Sequence, residues 1–238
     1  MPHASRIYSR AELLSDAIVH LAADNPYPDA QWAEACRSFD MTANLLANLP
    51  RKPFRFVFAS SNHTMGGYKE ADITAGALTP DLPPRPGTRF HRPDGYRQDQ
   101  AYATAKLMGE RALLAAAEGS RGSLTGVSLR IGWCQPGDNR PTTLTGDGMP
   151  DDVQRVPYPE ADTDLRWFRN MWLSNGDFLA AITSALGADA SQWPTRSVTV
   201  NAMSRNTGMP WSLEEARRWI GYEPADDVWD HLAIAQRP

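Results

Sequence analysis

The 238-residue sequence contains no long apolar run and only two cysteines, Cys36 and Cys134. A membrane-spanning helix needs about eighteen or more mostly apolar residues, so none is predicted, and no basic segment followed by an apolar one predicts a signal peptide. Two cysteines far apart in sequence are typical of free thiols in a reducing compartment, so a cytoplasmic location is expected. The five histidines show no metal-ligand spacing, so no metal site is predicted.

The sequence also lacks an excess of positive charge. It has 24 Lys and Arg against 28 Asp and Glu, which gives a net charge of −4. Proteins that bind nucleic acid use a strong positive field to attract phosphates, so no nucleic acid partner and no membrane partner are expected. The length is sufficient for one domain with a sizeable core, and a single domain over residues 1–238 is predicted.

Short apolar runs alternate with helical patterns along the chain. The apolar runs occupy residues 16–22, 54–61, 124–131 and 197–201. The helical patterns occupy residues 10–15, 30–49, 97–118, 176–187 and 213–220. Strands that alternate with helices predict an α/β fold in which the helices flank a parallel sheet.

Two proline- and glycine-rich stretches, residues 64–95 and 135–163, are predicted to be mostly irregular. The region 135–175 is interpreted as an insertion, and a lid over the substrate is one hypothesis for its role. Residues 201–238 are predicted to form a small C-terminal segment on the substrate side.

Tyr102-Ala-Thr-Ala-Lys106 is the most informative motif in the sequence. Residues four apart on a helix share one face, so an ammonium is expected beside a phenol. A nearby positive charge favours the phenolate and would lower the pKa of Tyr102, which would make it a proton carrier for alcohol–carbonyl chemistry. The sequence has seven Tyr and three Lys, so chance gives roughly 0.09 such pairs. A solvated helix face with an ordinary aromatic remains the alternative.

Ser60 and Ser61 close a predicted strand at its carboxyl end, where parallel sheets bind ligands. A serine hydroxyl from this segment could hold a substrate oxygen while Tyr102 takes or gives the proton. The alternative is that both serines only form the turn after the strand.

Five segments together resemble the extended short-chain dehydrogenases/reductases, also called the NAD-dependent epimerase/dehydratase family, and within it the uronate dehydrogenase branch. They are His20-Leu-Ala-Ala23, Phe58-Ala-Ser-Ser-Asn-His-Thr-Met-Gly66, Tyr102-Ala-Thr-Ala-Lys106, Leu129-Arg-Ile-Gly132 and Gly221-Tyr-Glu-Pro-Ala-Asp-Asp227. The resemblance implies a Rossmann-like sheet and the cofactor NAD, with NADP not distinguished. It implies catalytic roles for Ser61, Tyr102 and Lys106. It implies cofactor contacts by Leu21, Ala22, Ala23, Tyr102, Lys106 and Ile131.

One departure from the family is the missing glycine-rich turn that cradles the cofactor pyrophosphate. The fold is therefore expected to be N-terminally truncated, without its first β-α-β elements. A second departure is Ser38, which stands where the family has an asparagine that steadies a relay water. The missing turn keeps a further alternative open, namely a non-catalytic member that cannot bind NAD by itself or that needs a partner chain.

The resemblance implies a small-molecule substrate, a sugar acid such as a uronate, which is oxidised to a lactone. Its contacts are predicted at Ser61, Asn62, His63, Arg166 and Arg169. An arginine binds a carboxylate through two parallel hydrogen bonds, but a surface arginine and a loop histidine are the simpler interpretations. A nucleotide-sugar epimerase or dehydratase is the alternative enzyme. The resemblance also implies a homodimer through residues 30–49 and 97–118, although their apolar faces are equally consistent with packing on the sheet of the same chain.

Overall fold

A four-stranded parallel sheet is the centre of the structure, a computed structural model that describes residues 15–27, 29–50, 52–92, 95–146 and 161–235. Its strands are β1 (Ala17–His20), β2 (Phe54–Ser61), β5 (Leu124–Ile131) and β6 (Ser197–Ala202). They are arranged in the order β1-β2-β5-β6. Strands β3 (Arg89–Arg92) and β4 (Gly95–Gln98) form a separate antiparallel hairpin.

Helices connect and cover the strands, which confirms the predicted α/β fold with a Rossmann-like parallel sheet. They are α1 (Trp32–Ala47), α2 (Gln100–Gly119), α3 (Ala161–Asn170), α4 (Asn175–Gly187), α5 (Glu214–Ile220) and α6 (Val228–Ala235). No helix in these described ranges is long and apolar enough to cross a membrane. Four of the helices agree with the sequence prediction to within a few residues. The helix predicted at residues 10–15 lies, apart from its last residue, outside the described residues.

Strand β2 is buried on both faces because helices cover both sides of the sheet. Alternation along the strand places Phe54, Phe56 and Phe58 on one face, where they pack against Leu113 of α2. Val57 lies on the other face, in the cluster that includes residues of α4. Burial of one such large apolar side chain contributes about 1.5–3 kcal/mol. The carboxyl end of β2 is therefore held firmly between two helical layers.

The hairpin β3–β4 was not predicted, because residues 64–95 were expected to be mostly loop. Phe90 is fully buried in a cluster with Trp167 and Trp211, whereas every side chain of β4 is exposed. A single buried residue gives no period-two pattern, so the sequence does not reveal the strands.

The region 135–175 is less irregular than expected, since α3 begins inside it and α4 begins at its end. Helix α3 is mostly polar in sequence, with four charged residues among its ten, and it packs into the core through Trp167 and Phe168. Residues 147–160 of the region to which the lid hypothesis applies lie outside the described residues.

Candidate active site

Ser61 and Tyr102 meet at the carboxyl edge of the sheet. Ser61 is the last residue of β2, and Tyr102 lies in the first turn of α2, directly after Asp99 at the N-cap. Both side chains are buried, and the Ser61 hydroxyl lies near enough to the Tyr102 phenol to lower its pKa. The two predicted catalytic hydroxyls therefore face one another, as alcohol–carbonyl chemistry requires.

Lys106 lies one turn further along α2, on the same side as Tyr102. Its Nζ donates a hydrogen bond to the Ala59 carbonyl oxygen at 2.7 Å and lies 5.6 Å from the centroid of the Tyr102 ring and 5.2 Å from that of Phe58. Burial lowers the pKa of the Lys106 ammonium to about 8. At neutral pH the group is still mostly charged, and it has N–H donors beyond the one that Ala59 accepts.

The pKa of Tyr102 is raised, contrary to the sequence-based expectation. Burial is the largest cause, because it removes the phenolate from water. The Ser61 side chain opposes this effect, whereas repulsion by the Asp99 carboxylate, and by Cys134 once its own thiol ionises, adds to it. Within the chain alone, Tyr102 is a protonated phenol at neutral pH.

Asn62 and His63, the predicted substrate contacts, directly follow Ser61 in the chain. The Asn62 amide donates to the Ile131 carbonyl oxygen at 3.0 Å, and its Oδ1 is buried with no hydrogen-bond partner. The His63 ring lies 6.0 Å from the Tyr102 ring, in an edge-on arrangement. Both residues follow Ser61 in a 3₁₀ turn that spans Asn62–Tyr68.

His63 is held by two residues that sequence reasoning missed, Thr88 and Asp99. Its Nδ1 lies 2.8 Å from the Thr88 hydroxyl and forms a close ion pair with the Asp99 carboxylate. Thr88 approaches this closely because Gly66 has no side chain, since a Cβ atom there would lie 2.5 Å from the Thr88 backbone nitrogen. The position of Asp99 directly before the catalytic helix could have indicated from the sequence that it belongs to the site. Nothing in the sequence around Thr88 indicates the same for that residue.

A buried ion pair lies beneath the catalytic residues and was also missed. Arg130 of β5 donates two hydrogen bonds to Glu110 of α2, each 2.9 Å long, and the Ser60 hydroxyl donates to the same carboxylate at 2.5 Å. Glu110 lies four residues after Lys106, so the two share one side of the helix. This spacing is the feature of the sequence that could have indicated the position of Glu110. The pair joins β2, β5 and α2 directly below Ser61.

The predicted cofactor contacts lie at the carboxyl ends of two strands. Leu21, Ala22 and Ala23 follow β1, and Ile131 ends β5 next to Ser61 in the sheet register. Leu21 is half exposed and Ile131 is partly exposed, so both offer apolar surface at this edge.

These residues fit the nicotinamide ribose end of NAD, because Lys106 has N–H donors to spare for a ribose hydroxyl. The described residues contain no glycine-rich turn for the pyrophosphate.

His20 and Ser38 lie on the far side of Lys106. The His20 Nε2 and the Thr42 hydroxyl are 2.9 Å apart, and the Ser38 hydroxyl accepts a hydrogen bond from the Asp24 backbone at 2.9 Å. Burial, and secondly the charge of Lys106, lower the pKa of His20 to about 4. His20 is therefore neutral at physiological pH, and the Ser38 hydroxyl is already engaged by the chain.

Arg166 and Arg169 do not lie with the catalytic residues. They line a surface pocket of about 450 Å³ together with Asp162, Leu165, Thr207 and Trp229. Arg166 is exposed, and burial lowers the pKa of Arg169, whose Nε has no hydrogen-bond partner. Helical geometry explains the separation, because the side of α3 that approaches the catalytic residues carries Phe168, 6.2 Å from the His63 ring.

The sequence profile of the NAD dependent epimerase/dehydratase family matches residues 8–133. An L-arabinose 1-dehydrogenase (NAD(P)(+)) from Haloferax volcanii is 34% identical over 222 residues, which cover 89% of this chain and 75% of that protein. An NAD-dependent glucose-6-phosphate dehydrogenase from the same organism is 28% identical over 214 residues, which cover 89% of this chain and 68% of that protein.

Three solved structures share the fold at lower identity. A glucuronic acid dehydrogenase from Chromohalobacter salexigens has a TM-score of 0.60 and 22% identity, over 97% of this chain and 71% of that one. A UDP-glucuronic acid 4-epimerase from Bacillus cereus, with UDP-glucuronic acid and NAD, has a TM-score of 0.59 and 14% identity, over 94% of this chain and 75% of that one. A short-chain dehydrogenase/reductase superfamily protein from Agrobacterium tumefaciens with bound NAD has a TM-score of 0.57 and 18% identity, over 97% of this chain and 81% of that one.

NAD is the cofactor of this family, and two of the structural neighbours contain it. The sequence match extends well beyond half of the chain. The chain therefore belongs to the NAD dependent epimerase/dehydratase family.

Proposed function

We propose that this protein oxidises a hydroxyl group of a sugar with NAD as the oxidant, using Ser61, Tyr102 and Lys106. The observation that carries the proposal is that the buried Tyr102 phenol lies beside the Ser61 side chain and has the buried Lys106 ammonium 5.6 Å from its ring centroid. A substrate hydroxyl that enters between the two side chains would be held by one and deprotonated by the other.

Each of the three side chains has a distinct role in this proposal. Ser61 donates a hydrogen bond to the reacting oxygen, and Tyr102 removes its proton. Lys106 binds a ribose hydroxyl of the cofactor with its remaining N–H groups and supplies positive charge near the phenol. NAD, when bound, accepts the hydride from the carbon. Because burial keeps Tyr102 protonated at neutral pH, oxidation is expected to become faster as the pH rises.

The sequence relatives favour sugar oxidation over other alcohol chemistry. They are a dehydrogenase of L-arabinose and one of glucose 6-phosphate, and a structural neighbour acts on glucuronic acid. Oxidation of a uronate to a lactone, the finer hypothesis from the sequence, is one of three substrate classes that these names suggest. The three classes differ in charge, so a panel of sugars distinguishes them.

Two experiments, done one after the other, test the proposal. Calorimetric titration with NAD comes first, since every role above assumes a bound nicotinamide. NADH formation from a panel of sugars is then followed by absorbance. No heat at millimolar NAD would favour the non-catalytic alternative. Conversion of a nucleotide sugar without accumulation of NADH would favour an epimerase, whose fold this chain also shares.

The proposed enzyme is expected to act as a homodimer in a reducing, cytoplasmic compartment. Helices α1 and α2 expose Trp32, Met41, Met108 and Leu114, although the two helices also pack against each other. Cys36 and Cys134 are both free thiols. Sedimentation of the protein with and without Met108→Glu tests the dimer, because a charge at a contact surface would dissociate it.

A further inference from the structure

The two arginines that the sequence assigned to a carboxylate are not available to the reacting centre. Arg166 and Arg169 line the pocket with Thr207 and Trp229, the lining includes neither Ser61 nor Tyr102, and no arginine is among the groups that shift the pKa of Tyr102. The side of α3 nearest the catalytic residues carries the uncharged ring of Phe168. A substrate carboxylate at Tyr102 would therefore find no arginine from this helix.

The other buried cations in the described part of the chain are already neutralised by partners. Arg130 has both of its parallel hydrogen bonds to Glu110. Lys69 forms a close ion pair with Asp164 and donates to the Arg89 carbonyl oxygen at 2.7 Å. A buried cation that a carboxylate already neutralises has little charge left for a second anion.

His63, the imidazole nearest to Tyr102, adds no net positive charge. Its Nδ1 is paired with the Asp99 carboxylate, which is fully buried. A protonated His63 with Asp99 makes a neutral pair, and a neutral His63 leaves the pair negative. In either state an anionic substrate gains nothing from the pair, and Asp99 opposes a further negative charge, as it does the phenolate of Tyr102.

Lys106 is the remaining buried cation among the described residues. Its position suits a contact with the cofactor better than one with the substrate. Its Nζ donates to Ala59 and lies over the rings of Tyr102 and Phe58. The proposed ribose contact uses its other N–H groups. Asn62, which directly follows Ser61, carries by contrast a neutral polar atom, its Oδ1, a buried acceptor without a partner. A sugar hydroxyl can donate to such an acceptor, and a carboxylate cannot.

We infer that the substrate is a neutral aldose and that the site discriminates against uronates and sugar phosphates. The inference rests on the proposed function and narrows its substrate class. The reaction is the oxidation of the anomeric C–OH group. The C1–H bond breaks and its electron pair leaves as hydride to NAD, the hydroxyl proton passes to the Tyr102 phenolate, which forms when the phenol releases its own proton to solvent, and a C=O bond forms. The products are a lactone, NADH and one proton.

Matched sugars that differ in one group test this inference. D-Galactose and D-galacturonate differ only at C6, and D-glucose and D-glucose 6-phosphate differ only by the phosphate. L-Arabinose adds a neutral pentose. With saturating NAD, kcat/KM is expected to be at least tenfold higher for the neutral member of each pair. Quenching of tryptophan fluorescence by each sugar gives the same comparison without turnover.

The outcomes separate the inference from the function on which it rests. Equal or better oxidation of galacturonate or glucose 6-phosphate would overturn the neutral-substrate inference and leave sugar oxidation standing. No NADH from any sugar, with NAD shown to bind, would overturn both.

A variant gives a second test. Asp99→Asn removes the buried negative charge, and the kcat/KM ratio of galacturonate to galactose is expected to rise at least threefold. Asp138→Asn, at an exposed ion pair with Arg140, is the matched control. An unchanged ratio in folded Asp99→Asn protein would count against the charge argument.

Discussion

Arg130 and Glu110 form a bidentate ion pair that joins strand β5 to the catalytic helix, with both hydrogen bonds 2.9 Å long. The Ser60 hydroxyl donates to the same carboxylate, so the residue next to Ser61 is tied to the helix that carries Tyr102. The geometry of the two catalytic hydroxyls therefore depends on a pair of charges that takes no part in the reaction.

Glu110→Ala is expected to destabilise the protein by about 3–5 kcal/mol, because it leaves the buried Arg130 charge without a partner. Urea denaturation measures the change. Glu214→Ala, at an exposed ion pair, is the control and is expected to cost less than about 1 kcal/mol. If Glu110→Ala were as stable as that control, the ion pair would not have the structural role described.

Tyr102→Phe is expected to reduce kcat at least about 100-fold, because proton transfer by a positioned side chain contributes about 10²–10⁴-fold. The affinity for NAD should change less than about tenfold, which is the effect of one lost hydrogen bond. Steady-state kinetics and calorimetric titration measure the two quantities. Tyr96→Phe, on the exposed strand of the hairpin, is the matched control. Full activity in Tyr102→Phe would contradict the assigned proton carrier.

The stability contribution of Lys106 is expected to depend on pH. Burial lowers its pKa from 10.5 to about 8, so below pH 8 the folded protein holds a charge at a cost. Between about pH 8 and 10.5 the unfolded chain binds more protons, and the cost is relieved as the pH rises.

The measured quantity is the free energy of unfolding of the wild type minus that of Lys106→Met. This difference should increase by on the order of 3 kcal/mol between pH 7 and pH 10.5. Lys52→Met, at a partly exposed pair with Asp16, should show no such trend. A difference for Lys106→Met that is independent of pH would mean that the lysine is not desolvated.

Arg166→Ala and Arg169→Ala are expected to leave kcat/KM for any sugar within about twofold, because neither side chain lies with Ser61 and Tyr102. Loss of a hydrogen bond to a charged substrate group would instead cost about 1.5–3 kcal/mol, or roughly 10–150-fold. A selective loss of that size with galacturonate would restore the sequence-based assignment of these arginines to the substrate.

The sequence was sufficient to predict the sheet and the proximity of Ser61 and His63 to Tyr102. Apolar strands and a four-residue spacing on a helix are local patterns, and they can be recognised in the sequence without knowledge of the tertiary structure. The direction of Arg166 and Arg169 was not predictable in this way, because it depends on which side of α3 the core covers.

The pKa of Tyr102 and the partners of Arg130 could not be predicted from the sequence either. The expectation for Tyr102 considered one neighbouring charge, whereas complete burial has the larger effect. The pair with Glu110 joins residues from two elements, and the spacing on the helix indicates only the side of α2 that Glu110 occupies, not that Arg130 is its partner.

The hairpin β3–β4 reaches the catalytic region through the residues at its base. Thr88 precedes β3 and Asp99 follows β4, and both contact His63. These two residues adjoin opposite strands, so the pairing of the strands sets the distance between them. A shift of one residue in that pairing would move Thr88 relative to Asp99, turn the imidazole and change the site from outside it.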